Sequence, residues 1–67
     1  MSGDRRLTAR QLQVVRAVVD LGGTKRAAHQ LGVHQRTVEL HLAGARTREQ
    51  VDTTAQLVRA LSKRGEL

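Results

Sequence analysis

Apolar positions recur along this chain at helical spacing in four blocks, the first two closed by glycines. In the first block, Leu12, Val15, Val18 and Val19 share one helical face, with Val14 and Leu21 widening the stripe. Gln13, Arg16 and Asp20 point the other way. Thr8 is placed to cap this helix with Gln11 three residues on, and Leu7 and Leu12 fit a hydrophobic staple. The pair Gly22–Gly23 ends it, so the pattern predicts a helix over 9–21.

Thr24 is the predicted cap of a short second helix from Lys25 to Leu31, with Gly32 as its left-handed stop. A third helix is predicted over about 35–46. Its Val38, Leu42 and Ala45 lie on one face, while Gln35, Arg36, Glu39, Ala43 and Arg46 lie mostly on the other. Gly32 lets the two helices turn sharply, small Ala28 lets their backbones approach, and Val38 plugs the angle between them. Two helices joined this way make a helix-turn-helix, whose second helix can enter a DNA major groove. The segment 53–67 predicts a fourth helix, capped by Thr53 with Gln56 and stopped by Gly65, with a narrow stripe of Leu57, Val58 and Leu61. No strand-like alternation occurs. The expected fold is all-α, a four-helix domain over 7–64 behind a flexible basic arm at 1–6.

Composition adds a partner class. Twelve Lys and Arg oppose six Asp and Glu in 67 residues, a net charge of +6, and ten of the twelve bases are Arg. That balance suits a polyanion, because each neutralised phosphate releases counterions. Phe, Tyr and Trp are absent; single-stranded nucleic-acid platforms stack bases on aromatic rings, so a duplex fits better. There is no cysteine for a disulfide or thiolate site. No apolar run approaches the ~20 residues of a membrane span, and a soluble intracellular protein is the expectation. His29 and His34 have no recognised ligand spacing, and no Ser–His–Asp set or P-loop is present, so neither a metal, a cofactor nor an enzyme is expected.

The segments "LTARQLQVV", "GTKRAAHQLGVHQRTVELHL" and "VDTTAQLV" resemble the DNA-binding domain of LuxR-type regulators, from Leu7 to about Leu61 without a gap. The chain is similar to small stand-alone members of that family, with no sensory domain expected ahead of it. The middle segment alone also fits Fis-like domains; the two flanking helices favour the LuxR type. Departures include Gln11 for the family's acid, His34 for a capping serine, Glu39 for a lysine, Ala45 for a bulky residue, and Glu49–Gln50 for a closing L-G pair.

The resemblance implies that Glu39, Leu40 and Ala43 face base edges, and that Thr37 and the start of the second helix (Thr24, Lys25 and Arg26) touch phosphates. The residue chemistry is compatible. Glu39 can accept from cytosine N4, and Leu40 or Ala43 can meet a thymine methyl. Gln35 and Arg36 sit early enough to reach a base, and Arg36 could instead hold a phosphate. Arg46 and Arg48 could reach the flanking backbone, and Arg5 and Arg6 a neighbouring groove. Glu39 could equally be a surface acid paired with Arg36 or Arg46. His41, which matches the family's histidine, is expected to pack near the core with its ring hydrogen-bonded locally. Leu57, Val58 and Leu61 are too few for both a core and a twin, which suggests a homodimer seam.

The leading expectation is a cytoplasmic, bacterial or phage-encoded, nucleoid-associated transcription regulator that binds double-stranded DNA as a homodimer. An alternative of another class is a protein-interaction module of the same fold that docks on RNA polymerase or another regulator without base readout. A third is a non-specific architectural protein.

Overall fold

Thr8 opens the first helix by the reciprocal bonding its sequence predicts. Its hydroxyl accepts from the Gln11 amide nitrogen at 3.1 Å, and the Gln11 side chain accepts from the Thr8 backbone N–H at 3.0 Å. The computed structural model describes residues 6–67, and this capping box starts α1, Ala9–Leu21. It is followed by α2, Thr24–Leu31, α3, Gln35–Glu49, and α4, Thr54–Lys63. Thr53 and Gln56 repeat the capping box on α4. Among the described residues there is no strand, and no helix is long and apolar enough to cross a membrane.

The four helix ends share one device. At each, a residue in the left-handed region turns the chain, and the following N–H reaches back five residues to a carbonyl. Gly32, at φ 69°, does this after α2, with Val33 N–H donating to the Ala28 carbonyl at 3.0 Å. The three residues from Gly32 to His34 then deliver the chain to α3. His34 contributes only backbone there: its side chain makes no capping bond, while its carbonyl accepts from Thr37 at 2.9 Å.

The core is small and wholly aliphatic: Val14, Val15, Ala27, Ala28, Val38, Leu42, Ala45, Leu57 and Leu61. Helices α1, α2 and α3 all touch one another, and α4 packs on α3. Gly44 sits where α3 meets the start of α1, and a Cβ there would stand 3.2 Å from the side-chain Nε2 of Gln11. The globule has a radius of gyration of 11.3 Å.

Four expectations need correction. The buried face of α1 is centred between Val14 and Val15, which rotates Val19 to the margin, where it is 44% exposed. Thr24 is the first residue of α2 and Gly23 the cap, without a side-chain bond; the Thr24 hydroxyl accepts instead from Gln35. Helix α3 continues past 46 to Glu49, because Gln50 adopts φ 59° and does the work expected of a glycine. Leu57 and Leu61 are 0% exposed, their surface given over to this chain's own core, which leaves none of it for the expected seam. Only Val58, half-buried, remains of that seam. Residues 1–5, and with them Arg5 and most of the expected arm, lie outside the described residues.

Gln50 makes a testable liability. A non-glycine residue in the left-handed region carries a steric cost of about 1 kcal/mol that glycine lacks. Gln50→Gly is therefore expected to raise stability by about 0.5–1 kcal/mol, read as a higher urea midpoint with an unchanged slope. An unchanged or lower midpoint would show that side-chain contacts of Gln50 outweigh the strain.

Candidate nucleic-acid interface

Two helix N-termini meet at one edge of the molecule. The Gln35 Nε2 of α3 donates to Thr24 Oγ1 of α2 at 3.2 Å, which holds the first turns of the two helices side by side. Each helix start leaves backbone N–H groups unpaired and carries a partial positive charge. Acids are the usual complement there, yet neither first turn contains one. The first turns carry Lys25 and Arg26 on α2 and Arg36 on α3, all exposed. Cations beside a positive helix end cost a few tenths of a kcal/mol each. Lys25 and Arg36 thus oppose local stability, the kind of conflict that collects at functional sites, while Arg26 turns to the Leu21 carbonyl.

The same edge continues along α3. Glu39 and Leu40 are exposed, Leu40 by 56%, and Thr37 and Ala43 are half-buried. These side chains lie opposite, or at the edge of, the face of Val38, Leu42 and Ala45, which is fixed in the core. The Glu39 carboxylate is not ion-paired to Arg36 or Arg46. Its Oε2 accepts from Gln35 Nε2 at 3.3 Å, so one amide nitrogen serves both Thr24 and Glu39. Spacing alone allowed a Gln35–Glu39 contact, four residues apart on a helix. The link from Gln35 across the turn to Thr24 has no local signature.

The other expected phosphate contacts lie at the far end of α3. Half-buried Arg46 donates from Nη1 to Thr54 Oγ1 at 3.2 Å and ties α3 to the start of α4. Arg48 donates from Nε to the Arg6 carbonyl at 2.7 Å. Arg26 leans back over the end of α1, with Nη1 3.5 Å from the Leu21 carbonyl. Of the histidines, His29 and His34 are exposed and His41 is half-buried, and no hydrogen bond to the His41 ring forms among the described residues.

One cluster has no local signature in the sequence. Arg64 reaches back from the end of α4 and donates from Nη1 and Nη2 to the two carboxylate oxygens of Glu49, at 2.7 Å each. Its Nε donates to Glu66 at 2.7 Å. These hydrogen bonds, that to Glu49 first and that to Glu66 second, hold the guanidinium pKa above its ordinary value. Arg16 of α1 donates to the Glu66 carbonyl at 2.9 Å. The tail after α4 is thus fastened beside the end of α3 and the middle of α1.

The chain matches no family model, no curated protein and no solved structure.

Proposed function

We propose that this chain is a sequence-specific, duplex-DNA-binding transcription regulator of the LuxR helix-turn-helix type, acting in the cytoplasm on the nucleoid. It seats the first turns of α3 in the major groove and sets the start of α2 on the adjoining phosphates. The observation that carries this reading is the convergence of two cation-bearing helix N-termini beside an exposed helix flank. A phosphate placed there accepts from backbone N–H groups and from Lys25, and it relieves a repulsion the free protein sustains. The first turns of a recognition helix are also the part that reaches base edges in helix-turn-helix complexes. Arg36 and Leu40 supply a guanine or phosphate donor and a thymine-methyl contact.

Two copies bind half-sites about 10–10.5 bp apart, meeting along the outer side of α4 around Val58. Footprint length and stoichiometry check this pairing.

Affinity measured for duplex fragments across a salt series tests the whole reading. The logarithm of the binding constant is expected to fall linearly with the logarithm of salt, by about 0.9 per phosphate held, with a preference among sequences at every salt. A flat dependence would remove the proposal, and binding to RNA polymerase with no duplex affinity would select the protein-docking alternative.

Lys25→Glu separates function from folding. The new acid complements the helix end, so the unfolding free energy should rise by about 0.3–1 kcal/mol. Duplex affinity should fall by about tenfold or more, since an attraction to phosphate becomes a repulsion. Arg36→Ala should lose about three- to tenfold in affinity with stability unchanged. If both variants bound DNA as the parent does, the paired N-termini would not be the contact surface.

A further inference from the structure

Glu39 is an unusual group to aim at a polyanion, and its surroundings explain how it could work there. A carboxylate only accepts hydrogen bonds. This fixes the orientation of the Gln35 amide, whose nitrogen must face Glu39 Oε2, at 3.3 Å. The second hydrogen of that nitrogen is directed to Thr24 Oγ1, at 3.2 Å. Both donors of the Gln35 amide are thereby engaged inside the protein. Thr24, having accepted through its oxygen, keeps its O–H to donate outward at the start of α2.

We infer that Gln35 is a positioning residue, not a base reader, and that the Thr24–Gln35–Glu39 relay sets Glu39 to select cytosine at one position of the site. The inference rests on the DNA-binding reading given above. In the major groove cytosine offers the N4 amine, which a carboxylate accepts from, whereas guanine O6 and thymine O4 are acceptors that repel it. Adenine offers an amine but sets the N7 acceptor beside it, so cytosine is the better match. Thr24 holds the phosphate end of the relay. A well-seated backbone contact and a correctly aimed carboxylate are then coupled through one amide group, which ties base choice to the register of the protein on the duplex.

The test is selection of duplexes from random DNA by the full chain, followed by competition binding for Glu39→Gln, Glu39→Ala, Gln35→Met and Thr24→Val. Gln35→Met keeps side-chain length and removes the amide. Gln35 and Glu39 are exposed and Thr24 is half-buried, so helical circular dichroism and the unfolding midpoint report directly whether each variant is folded. The parent is expected to prefer cytosine over guanine or thymine at one position by about tenfold or more. Glu39→Gln should move that position to adenine, which a glutamine amide can hold through N6 and N7. Gln35→Met and Thr24→Val should each flatten the preference at that same position by about threefold or more and leave the other positions intact. Loss of preference at a different position in Gln35→Met would show that Gln35 reads its own base and overturn the relay. So would an unchanged preference in both Glu39 variants of a chain that still selects DNA; the DNA-binding reading then stands alone. A parent that selects no duplex overturns both.

Discussion

Leu57→Ala is expected to destabilise the protein by about 2–5 kcal/mol, the range for emptying a fully buried leucine site. Leu57 is 0% exposed and is one of nine buried core residues among the described residues. No aromatic side chain exists anywhere in the sequence, and the remaining core is valine, alanine and leucine, which cannot swing a large group into the space. A domain of this size has a total stability of roughly 3–10 kcal/mol, so the loss removes much or all of it. Thermal unfolding should move down by on the order of 10–20 °C. The shift should be the same at every protein concentration, because the side chain lies inside one protomer. A shift that grew on dilution would put Leu57 in an interface between copies. Leu40→Ala is the control: at 56% exposure it should change stability by less than about 0.5 kcal/mol while weakening duplex binding.

That contrast between two leucines, neither separable from the other by type, shows where the sequence is readable. Helix α1 runs from Ala9 to Leu21, the limits set by a cap at Thr8 and a stop at Gly22. Both are short-range chemistry, complete within one turn of chain. The same holds for α4 behind Thr53 and for the turn at Gly32. Val19 fails because it depends on rotation: the stripe on α1 is wide, and only the docking of α2 and α3 decides that Val14 and Val15 form its centre. The end of α3 fails because Gln50 stands where glycine is the expected signal, and the left-handed turn is made regardless. Leu57 and Leu61 fail because the core is so poor in volume that it absorbs both.

The candidate site divides in the same way. Arg36, Glu39 and Leu40 can be placed on an exposed flank from the phase of Val38 and Leu42 alone. The roles of Thr24 and Gln35 cannot, since each is fixed by a partner eleven positions away across the turn. Arg46 and Arg48 keep their helix but turn to Thr54 and to the Arg6 carbonyl. Charge counts along the sequence see cations; whether a given cation faces a phosphate or its own backbone depends on contacts made after folding.

Arg64→Ala carries the second large effect, about 2 kcal/mol of lost stability. The Glu49 side chain is 5% exposed, and Arg64 is the partner that makes its burial tolerable, through two parallel 2.7 Å bonds. Removing one partner of a fully buried pair costs about 3–5 kcal/mol because the other charge is left desolvated. Arg64 itself is 38% exposed, so water and salt already share the interaction, and the smaller figure follows. The guanidinium pKa, raised above its ordinary value by Glu49 and then Glu66, adds no pH dependence in the working range. A raised base stabilises at all pH below its unfolded pKa and is lost only in strong alkali. Two further variants identify the cause. Arg64→Lys should recover less than half of the loss, because an ammonium cannot match both carboxylate oxygens. Arg64→Ala combined with Glu49→Gln should recover more than half, since the stranded charge is gone. Urea unfolding of the parent, Arg64→Ala, Glu49→Gln and the double variant completes the cycle. DNA affinity below the unfolding transition should stay within about twofold of the parent, because this clamp holds the opposite end of α3 from Gln35 and Arg36. A loss under about 0.5 kcal/mol in Arg64→Ala would make the pair an ordinary surface contact. A loss of DNA affinity in the folded variant would extend the contact surface to the far end of the helix.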